Sequence, residues 1–247
     1  MTPHAVSFVV PAHNEELLLS ATLCAIHQAA AACAIEYEII VADDASTDHT
    51  GQVAADLGAR VVSVQHRQIA ATRNSGARAA TGEMLVFVDA DTLINEAVLH
   101  RALDTVAAGA VGGGATVRFD GRIPLYARVL TPCLTAMMRW MRLAAGCFVF
   151  CTRSAFDAAS GFDERLFGAE EIALSVALKK IGRFVILRES VLTSGRKLRT
   201  YSGFEVLGII VRAALSGGNM IKRREQMGLW YDPRREDPGL RQTDRAT

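Results

Sequence analysis

Short apolar runs alternate with longer amphipathic stretches over the first half of the chain. The short runs are rich in Val and Ile and are bounded by polar or turn-forming residues, which is typical of buried strands. The longer stretches carry apolar residues at helical spacing, and two of them stop at Gly58 and Gly82. We therefore predict strands over residues 6–10, 38–42, 60–65, 83–88 and 112–119, and helices over 15–32, 46–57, 69–80 and 95–108. This order predicts an α/β fold with a Rossmann-like, mostly parallel central sheet flanked by helices.

Polar clusters follow three of the predicted strands. The first strand runs into Pro11, Asn14 and Glu15, the second into Asp43 and Asp44, and the fourth into Asp89 and Asp91. Open α/β sheets bind ligands at the carboxyl ends of their strands, so we expect these side chains to face a ligand. Carboxylates suit Mg²⁺ or Mn²⁺, which binds through one or two of them and completes its shell with phosphate and water. For Asp89 taken alone, capping of the next helix is the alternative.

These clusters, in this order, resemble the motifs of the family 2 glycosyltransferases of GT-A fold. The matching segments are 11–15, 43–48 and 89–91, each at the end of a predicted strand. A fourth segment, Gly161-Phe162-Asp163-Glu164 followed by Glu170-Glu171, is similar to the family's acceptor-side motif. Each motif is short, and the ordered set over about the first four-fifths of the chain makes the resemblance specific.

The resemblance implies a binding site for a nucleotide-sugar. Asp43 and Asp44 would accept hydrogen bonds from the base and the ribose, and Glu15 would contact the nucleotide as well. Pro11 and Asn14 belong to the same predicted site because they form the turn that carries Glu15. The donor implied by this motif set is a nucleoside diphosphate sugar, most simply a UDP-sugar.

The resemblance also implies a divalent metal. Asp91, the last acid of its motif, would hold Mg²⁺ or Mn²⁺, and Asp89 would contact the nucleotide. Such a cation stabilises the charge that develops on a departing diphosphate. Related enzymes often add a later His as a ligand, but no His follows His100 here, so we expect that ligand to be absent or replaced.

Two arginines are candidates for binding the diphosphate. Arg73 could add positive charge near the phosphates, or it could lie on a solvated helix face shared with Arg78. Arg196 belongs to the basic segment 194–199, which could close over the diphosphate because Gly195 permits movement and arginine binds phosphate in a bidentate manner. A basic loop on a solvated or membrane-facing surface is the alternative.

Glu171 is the predicted general base, which would take the proton from the attacking hydroxyl. It stands where the resembling family has Asp, with Glu170 before it, so which of the two is the base stays open. Two adjacent acids should raise one pKa. Alternatively, both simply favour the start of a helix through its macrodipole. The residues predicted to lie on the acceptor side are Gly146, Cys147, Asp163 and Glu164.

Composition narrows the class of partner. Lys and Arg number 27 and Asp and Glu 26, so the formal net charge is +1 and no global field would attract nucleic acid. The five cysteines have no zinc-type spacing and mostly apolar neighbours, which predicts reduced, buried thiols. No basic and apolar leader precedes the first strand, so we expect a cytoplasmic protein. The resemblance to the glycosyltransferases implies a role in glycan biosynthesis.

Two segments, 125–151 and 204–224, combine apolar residues with arginine or lysine. Neither is long enough to span a membrane, but both could lie at its cytoplasmic face and serve a lipid-linked acceptor. Packing against the sheet or in a homodimer interface is the alternative. We predict a glycosyltransferase domain over 1–200, a helical extension over 201–231 that packs on it or at the membrane, and a disordered tail over 232–247.

The predicted function is a metal-dependent, inverting glycosyltransferase that moves a sugar from a nucleoside diphosphate to an acceptor hydroxyl. Inversion is implied by the resemblance alone. A nucleotidyltransferase would also bind metal and phosphates at strand ends, although the first loop is acidic rather than phosphate-binding. A catalytically inactive nucleotide-binding or membrane-associated partner protein is the third hypothesis, raised by Glu171 and the absent late His.

Overall fold

The computed structural model describes residues 5–202, 205, 208 and 220–231. Within these residues a single sheet holds β1 (Ala5–Ala12), β2 (Glu36–Asp44), β3 (Arg60–Val64), β4 (Met84–Val88), β5 (Thr92–Leu93), β6 (Gly112–Phe119), β7 (Phe148–Thr152) and β8 (Phe184–Thr193). Their order in the sheet is β3-β2-β1-β4-β7-β6-β8-β5. The main helices are α1 (Glu16–Ala32), α2 (Thr50–Asp56), α3 (Ile69–Ala79), α4 (Glu96–Ala107), α5 (Leu125–Met141), α6 (Arg153–Ala158), α7 (Glu170–Ile181) and α8 (Arg196–Thr200).

The sheet is parallel over its first half and mixed over its second. Strands β3, β2, β1 and β4 are parallel neighbours, which confirms the predicted α/β fold. Strand β7 is antiparallel to both β4 and β6, whereas β8 is parallel to β6. This arrangement brings the start of β7 and the end of β8 to the same edge as the carboxyl ends of β1, β2 and β4.

Two apolar layers hold the sheet between helices. Successive side chains of a strand point to opposite faces. Phe8 therefore packs with α1 and α4 on one face, whereas Val9 packs with α3, α6 and α7 on the other. On the second face Phe87 lies against Phe156 and Phe162, with ring centroids 5.3 and 4.9 Å away. The central strands are thus buried on both sides, as expected for parallel strands.

The predicted elements differ from the structure mainly around β2 and α2. Strand β2 continues through both aspartates to Asp44, and α2 begins at Thr50 instead of residue 46. The intervening loop is held by hydrogen bonds to the turn after β1, and the Asp48 carboxylate accepts from the Thr50 N–H at 3.0 Å. These bonds replace a first helical turn, because they satisfy the same backbone groups.

Residues 220–231 lie against the loop that precedes α7. The Phe167 N–H donates to the Ile221 carbonyl at 2.6 Å, and Met227 fills the space that a Cβ on Gly168 would need. The remainder of the predicted extension and tail, residues 203, 204, 206, 207, 209–219 and 232–247, lies outside the described residues. In the part of the chain that the structure describes, no helix is both long and apolar enough to cross a membrane.

The prediction of buried cysteines is wrong for two of the five residues, and two more, Cys33 and Cys147, are only half-buried. Cys24 and Cys133 are exposed, because each lies on the solvent side of its helix. Cys151 is buried in β7, and burial raises the pKa of its thiol. All five are free thiols.

Candidate active site at the carboxyl edge of the sheet

Hydrogen bonds join the turn after β1 to the loop after β2. Asn14 has a left-handed backbone (φ 53°), and its side-chain oxygen accepts from the Thr47 N–H at 2.7 Å. The Asn14 N–H donates to Ser46 Oγ at 3.0 Å, and the Glu15 N–H donates to Thr50 Oγ1 at 2.8 Å. These hydrogen bonds connect two of the predicted polar clusters. The Glu15 side chain, which is 11% exposed, belongs to the connected group.

The two aspartates that end β2 have different surroundings. Asp44 is buried, and its carboxylate accepts from the Arg67 N–H at 2.8 Å, the Gln68 N–H at 3.1 Å and Thr72 Oγ1 at 2.7 Å. Both of its oxygens thus hold the start of α3. Asp43 is half-buried, and one of its oxygens accepts from the Ser46 N–H at 3.3 Å. Asp43 therefore keeps more capacity to bind a ligand than Asp44 does.

His13 and Arg67 are residues at this edge that the sequence analysis missed. His13 Nδ1 lies 2.8 Å from the Asp44 carbonyl oxygen, so it donates there, and Nε2 is left to accept from the Arg67 guanidinium at 2.6 Å. Arg67 itself has a left-handed backbone (φ 50°). These residues meet across 54 positions, so no local pattern could indicate the pair.

Arg73 is the centre of the site, and the interpretation that places it on a solvated helix face is wrong. Its side chain is only 1% exposed, so it does not lie on a solvated helix face. One guanidinium nitrogen lies 2.6 Å from a Glu170 oxygen, and the other lies 2.7 Å from an Asp89 oxygen and donates to the Gly146 carbonyl at 2.9 Å. The guanidinium also lies 5.3 Å from the centre of the Phe162 ring. Its charge is therefore paired with two acids inside the protein, and the role near the diphosphate stays a prediction.

Electrostatics keeps Arg73 charged. Burial alone would lower its pKa, but the charges of Asp89 and Glu170 raise that pKa above the ordinary arginine value. A buried charge of this kind is tolerated only when it is paired and hydrogen-bonded. The pairing also fixes the two acids, one after β4 and the other at the start of α7, at a constant separation.

Glu170 and Glu171 differ in their contact with Arg73. Glu170 is buried against Arg73, whereas Glu171 forms no salt bridge with any described residue. Burial, followed by the negative charge of Glu170, raises the pKa of Glu171 to about 8, although Arg73 opposes the shift. The expectation that two adjacent acids would raise one pKa is borne out. The Glu171 carboxyl lies against Gly146, where an added Cβ would be 3.1 Å from its Oε1.

Asp91 lies among both acidic and basic side chains. Burial, Asp89 and Glu15 raise the pKa of Asp91 to about 6, whereas Lys197 and Arg196 act in the opposite direction. An Arg196 nitrogen is 3.7 Å from an Asp91 oxygen and 3.4 Å from a Glu15 oxygen. The start of α8 therefore reaches the same edge as the two strand-end acids.

The donor set at Asp91 fits a divalent cation that shares its shell with phosphate. Asp91 supplies one carboxylate in a field of negative charge, and a Mg²⁺ or Mn²⁺ site often needs only one or two carboxylates when a diphosphate completes it. Among the described residues no cluster of three or more His, Cys, Asp or Glu side chains could hold a metal by itself.

The acceptor-side motif is pinned to α3 by hydrogen bonds. The Asn74 amide accepts from the Phe162 N–H and donates to the Phe162 carbonyl and to a Glu164 oxygen, all at 2.9 Å. Gln68, which the sequence analysis missed, donates to the carbonyls of Glu164 and Leu166 at 2.5 and 2.9 Å. These bonds fix the position of the motif, and therefore of the start of α7 that follows it, relative to the acids at the ends of β2 and β4.

The remaining predicted acceptor-side residues are near this edge but differ in exposure. Asp163 is held by Arg165, whose hydrogen bonds keep the pKa of the aspartate low. Burial and the nearby acids raise the pKa of the Cys147 thiol well above its ordinary value, which leaves it an unreactive neighbour of the site. The Cys147 carbonyl accepts from the Asp89 N–H at 3.2 Å, and Gly146 contacts both Arg73 and Glu171.

Comparison with known proteins gives a family-level match. Residues 7–157 match the family described as glycosyl transferase family 2, which is more than half of the chain. The undecaprenyl-phosphate 4-deoxy-4-formamido-L-arabinose transferase of Pseudomonas fluorescens is 33% identical over 117 residues, which cover 43% of this chain and 33% of that protein. The chain therefore spans about a third of the length of this relative.

Solved structures of similar fold also exist. A mannosyltransferase from Pyrobaculum calidifontis, in complex with GDP-Man and Mn²⁺, superimposes with a TM-score of 0.63 at 22% identity, over 90% of this chain and 63% of that one. S. aureus TarS 1-349 in complex with UDP-GlcNAc gives 0.60 at 20% identity, over 76% and 58% of the two chains. At these identities the likeness demonstrates the GT-A fold alone.

Proposed function

The chain belongs to glycosyl transferase family 2, and on this premise we propose that it transfers a sugar from a nucleoside diphosphate to an acceptor hydroxyl with inversion at the anomeric carbon. One observation carries the proposal. The buried guanidinium of Arg73 binds Asp89 and Glu170, so the donor-side and acceptor-side acids belong to one rigid constellation. Preorganised groups of this kind position two reactants for direct displacement.

The donor is proposed to bind across the ends of β1, β2 and β4. Asp43 accepts a hydrogen bond from the nucleotide base, because the carboxylate of its neighbour Asp44 already accepts hydrogen bonds from the start of α3. Glu15 and Asp89 lie on the inner side of the same edge and contact the rest of the nucleoside. A UDP-sugar is the donor we favour, in line with the UDP-GlcNAc of the S. aureus structure.

Asp91 is proposed to hold Mg²⁺ or Mn²⁺ together with the donor diphosphate. When bound, the cation supplies stabilisation of the negative charge that develops on the departing nucleoside diphosphate. Arg196 and Lys197 lie beside Asp91 and supply further positive charge at that position. The Mn²⁺ in the mannosyltransferase structure supports this choice of cofactor.

Glu171 is proposed as the general base. Its carboxyl faces Gly146 at the acceptor side and forms no salt bridge with described residues, so it is available to take the hydroxyl proton. A pKa of about 8 places the group near the working range of a biological base. We assign Glu170 a positioning role instead, since one of its carboxylate oxygens pairs with the Arg73 guanidinium at 2.6 Å.

The acceptor is proposed to be lipid-linked and to be presented at the inner face of a membrane. Support comes from the Pseudomonas fluorescens relative, whose name specifies undecaprenyl phosphate. A cytoplasmic protein of glycan biosynthesis, in peripheral contact with the membrane, is the corresponding location.

The test is a thermal-shift panel of nucleoside diphosphate sugars with and without Mn²⁺, followed by product analysis with the donor that binds. We expect one nucleotide class to stabilise the protein in a Mn²⁺-dependent manner, because ligands that bind the native state raise its apparent stability. Release of nucleoside diphosphate with sugar transfer would support the proposal. Pyrophosphate release from a nucleoside triphosphate would identify a nucleotidyltransferase, and binding without turnover under any acceptor would identify an inactive protein.

A further inference from the structure

Helix α5 exposes most of its large apolar side chains. Of the eleven exposed large hydrophobic residues in the described part of the chain, seven lie on this one helix: Leu125, Val129, Leu130, Leu134, Met137, Trp140 and Met141. Trp140 is 85% exposed, and Ala127 is the single buried residue that the helix contributes. A contiguous apolar patch of this kind on a folded domain marks an interaction surface.

The exposed residues form one face. At 100° per residue they span about half of the helix circumference, and the less exposed residues Ala127, Thr131 and Met138 fall next to one edge of that half. The helix is therefore attached to the domain along this stripe of less exposed residues and through the Tyr126 hydroxyl, which donates to the carbonyls of Leu198 and Tyr201, and it presents its other large apolar side chains outward.

The charge around this face has a single sign. Residues 121–142 contain four arginines, Arg122, Arg128, Arg139 and Arg142, and no acidic residue. The rest of the chain carries 23 basic and 26 acidic residues, a balance of −3, so the positive charge is concentrated here. None of the four forms a salt bridge within the described residues.

A cleft at the end of α5 extends the positive surface. It has a volume of ≈ 350 Å³ and lies between α5, the end of α4 and the start of β8. Its charged lining consists of Arg101, Arg139, Arg183 and Arg188 with Asp104 and Glu189. Arg139 borders both the cleft and the apolar face, so the two features form one surface.

We propose that α5 docks into the interface of a membrane that contains anionic lipid. Its apolar face inserts among the acyl chains, and the flanking arginines reach the lipid phosphates by extending their side chains. The charge pattern argues against self-association, because a symmetric dimer through this face would bring together eight arginines, four from residues 121–142 of each copy, and that segment contains no acidic residue to pair with them. An anionic lipid surface supplies the complementary charge.

The position of α5 connects this surface to the site. The Lys179 ammonium donates to the Met141 carbonyl at 2.9 Å, which ties the end of α5 to α7. Five residues after Met141 the chain reaches Gly146, which contacts Glu171. Docking through α5 would thus hold the proposed base close to the membrane surface. This last consequence rests on the proposed function, whereas the docking itself does not.

The test is co-flotation of the full chain with vesicles of phosphatidylcholine alone or mixed with phosphatidylglycerol, at low and high salt. We expect binding to the mixed vesicles at low salt and its loss at high salt, because salt screens the attraction. In a Trp230→Phe background, Trp140 fluorescence should shift to the blue and be quenched by bromine-labelled acyl chains. No flotation with mixed vesicles at low salt would overturn the proposal.

Matched variants assign the binding to α5. Leu134→Ser with Trp140→Ser should abolish flotation, whereas Leu17→Ser, at an apolar position on α1 that is 76% exposed, should not change it. Arg128→Gln and Arg139→Gln should each weaken binding about fivefold, unlike Arg60→Gln on β3. Circular dichroism and thermal unfolding of each variant check that it is folded. Flotation that is unchanged by the α5 variants would overturn the proposal.

Two further measurements separate the alternatives. Analytical ultracentrifugation in the absence of lipid should give a monomer, and a dimer that Trp140→Ser dissociates would assign the face to a subunit contact instead. Nucleotide-sugar binding without vesicles should be the same in the α5 variants and in the wild type. If no nucleotide-sugar binds but flotation occurs, the proposed function fails and the docking stands.

Discussion

Asp89 and Glu170 are bound by the same guanidinium group, at 2.7 and 2.6 Å from its two terminal nitrogens. The first acid follows β4 and the second begins α7, 81 positions later in the chain. Arg73 between them is 1% exposed and Glu170 5%, so their contact is shielded from water and from salt, whereas Asp89 is 29% exposed. The distance between Asp89 and Glu170, which we propose to lie on the donor side and the acceptor side, is therefore set by the folded core.

Replacement of Arg73 should cost both stability and activity. We expect Arg73→Met to lower the free energy of unfolding by about 3 kcal/mol or more, because it leaves the buried carboxylate of Glu170 and the half-buried carboxylate of Asp89 without a partner. Arg78→Met on the same helix, at a 64% exposed side chain, should change it by less than about 0.5 kcal/mol. Urea unfolding measures the free energy of unfolding of both variants. Equal stabilities of the two variants would show that the bridge is not a structural requirement.

The two adjacent glutamates should respond differently to the same substitution. Glu171→Gln should reduce sugar transfer by roughly 10²–10⁴-fold, the usual effect of removing a general base, with donor binding unchanged. Glu170→Gln should instead destabilise the fold, because Arg73 loses a buried partner. Transfer assays, donor titrations and urea unfolding of both variants provide the measurement. A variant pair in which Glu170→Gln abolishes transfer while remaining stable would reverse the assignment.

The rate of transfer should rise with pH. With a folded-state pKa of about 8, Glu171 is mostly protonated at neutral pH, so kcat/KM should increase through that range and level off above it. A pH profile of the wild type measures the midpoint. A flat profile between pH 6 and 9, under conditions where chemistry limits the rate, would count against Glu171 as the base.

The same carboxyl should make the fold less stable as pH rises. Below its ordinary pKa of 4.5, Glu171 holds a proton in both the folded and the unfolded chain. Between about 4.5 and 8 the unfolded chain releases this proton and the folded chain keeps it, so the free energy of unfolding falls with rising pH. Glu171→Gln should be more stable than the wild type near pH 8. The comparison requires urea unfolding at pH 5 and pH 8.

Asp91→Asn should remove the response to metal and leave the fold intact. We expect the Mn²⁺-dependent part of nucleotide-sugar affinity to disappear, because an amide is a poor ligand for a hard cation. Asp157→Asn, at an exposed position on α6, is the control. Isothermal titration with and without Mn²⁺ measures the effect. A wild-type response to Mn²⁺ in Asp91→Asn would exclude this residue as the ligand.

The elements that depend on short-range patterns were predictable. Strand β6 was predicted with its observed bounds, and α3 was predicted to within one residue, because the apolar period and the flanking residues determine both locally. The gathering of strand-end acids at one edge followed from the order of the elements. It needed no knowledge of individual contacts.

The parts that depend on contacts between distant residues were not predictable. The start of α2 is displaced by the bond between Asn14 and Thr47, which are 33 positions apart. The burial of Arg73 depends on partners 16 and 97 positions away. The apolar face of α5 illustrates a different limit, since its periodicity is the same whether the face packs on the sheet or lies outside it.

Asp44 determines how a mutational scan of this edge should be interpreted. A screen that scores product alone would give similar losses at Asp43 and Asp44 and would group both as ligand contacts. The carboxylate of Asp44 instead bonds with Arg67, Gln68 and Thr72, so its loss changes the amount of folded protein. Activity therefore has to be plotted against cellular abundance, and on such a plot these two neighbouring positions should separate.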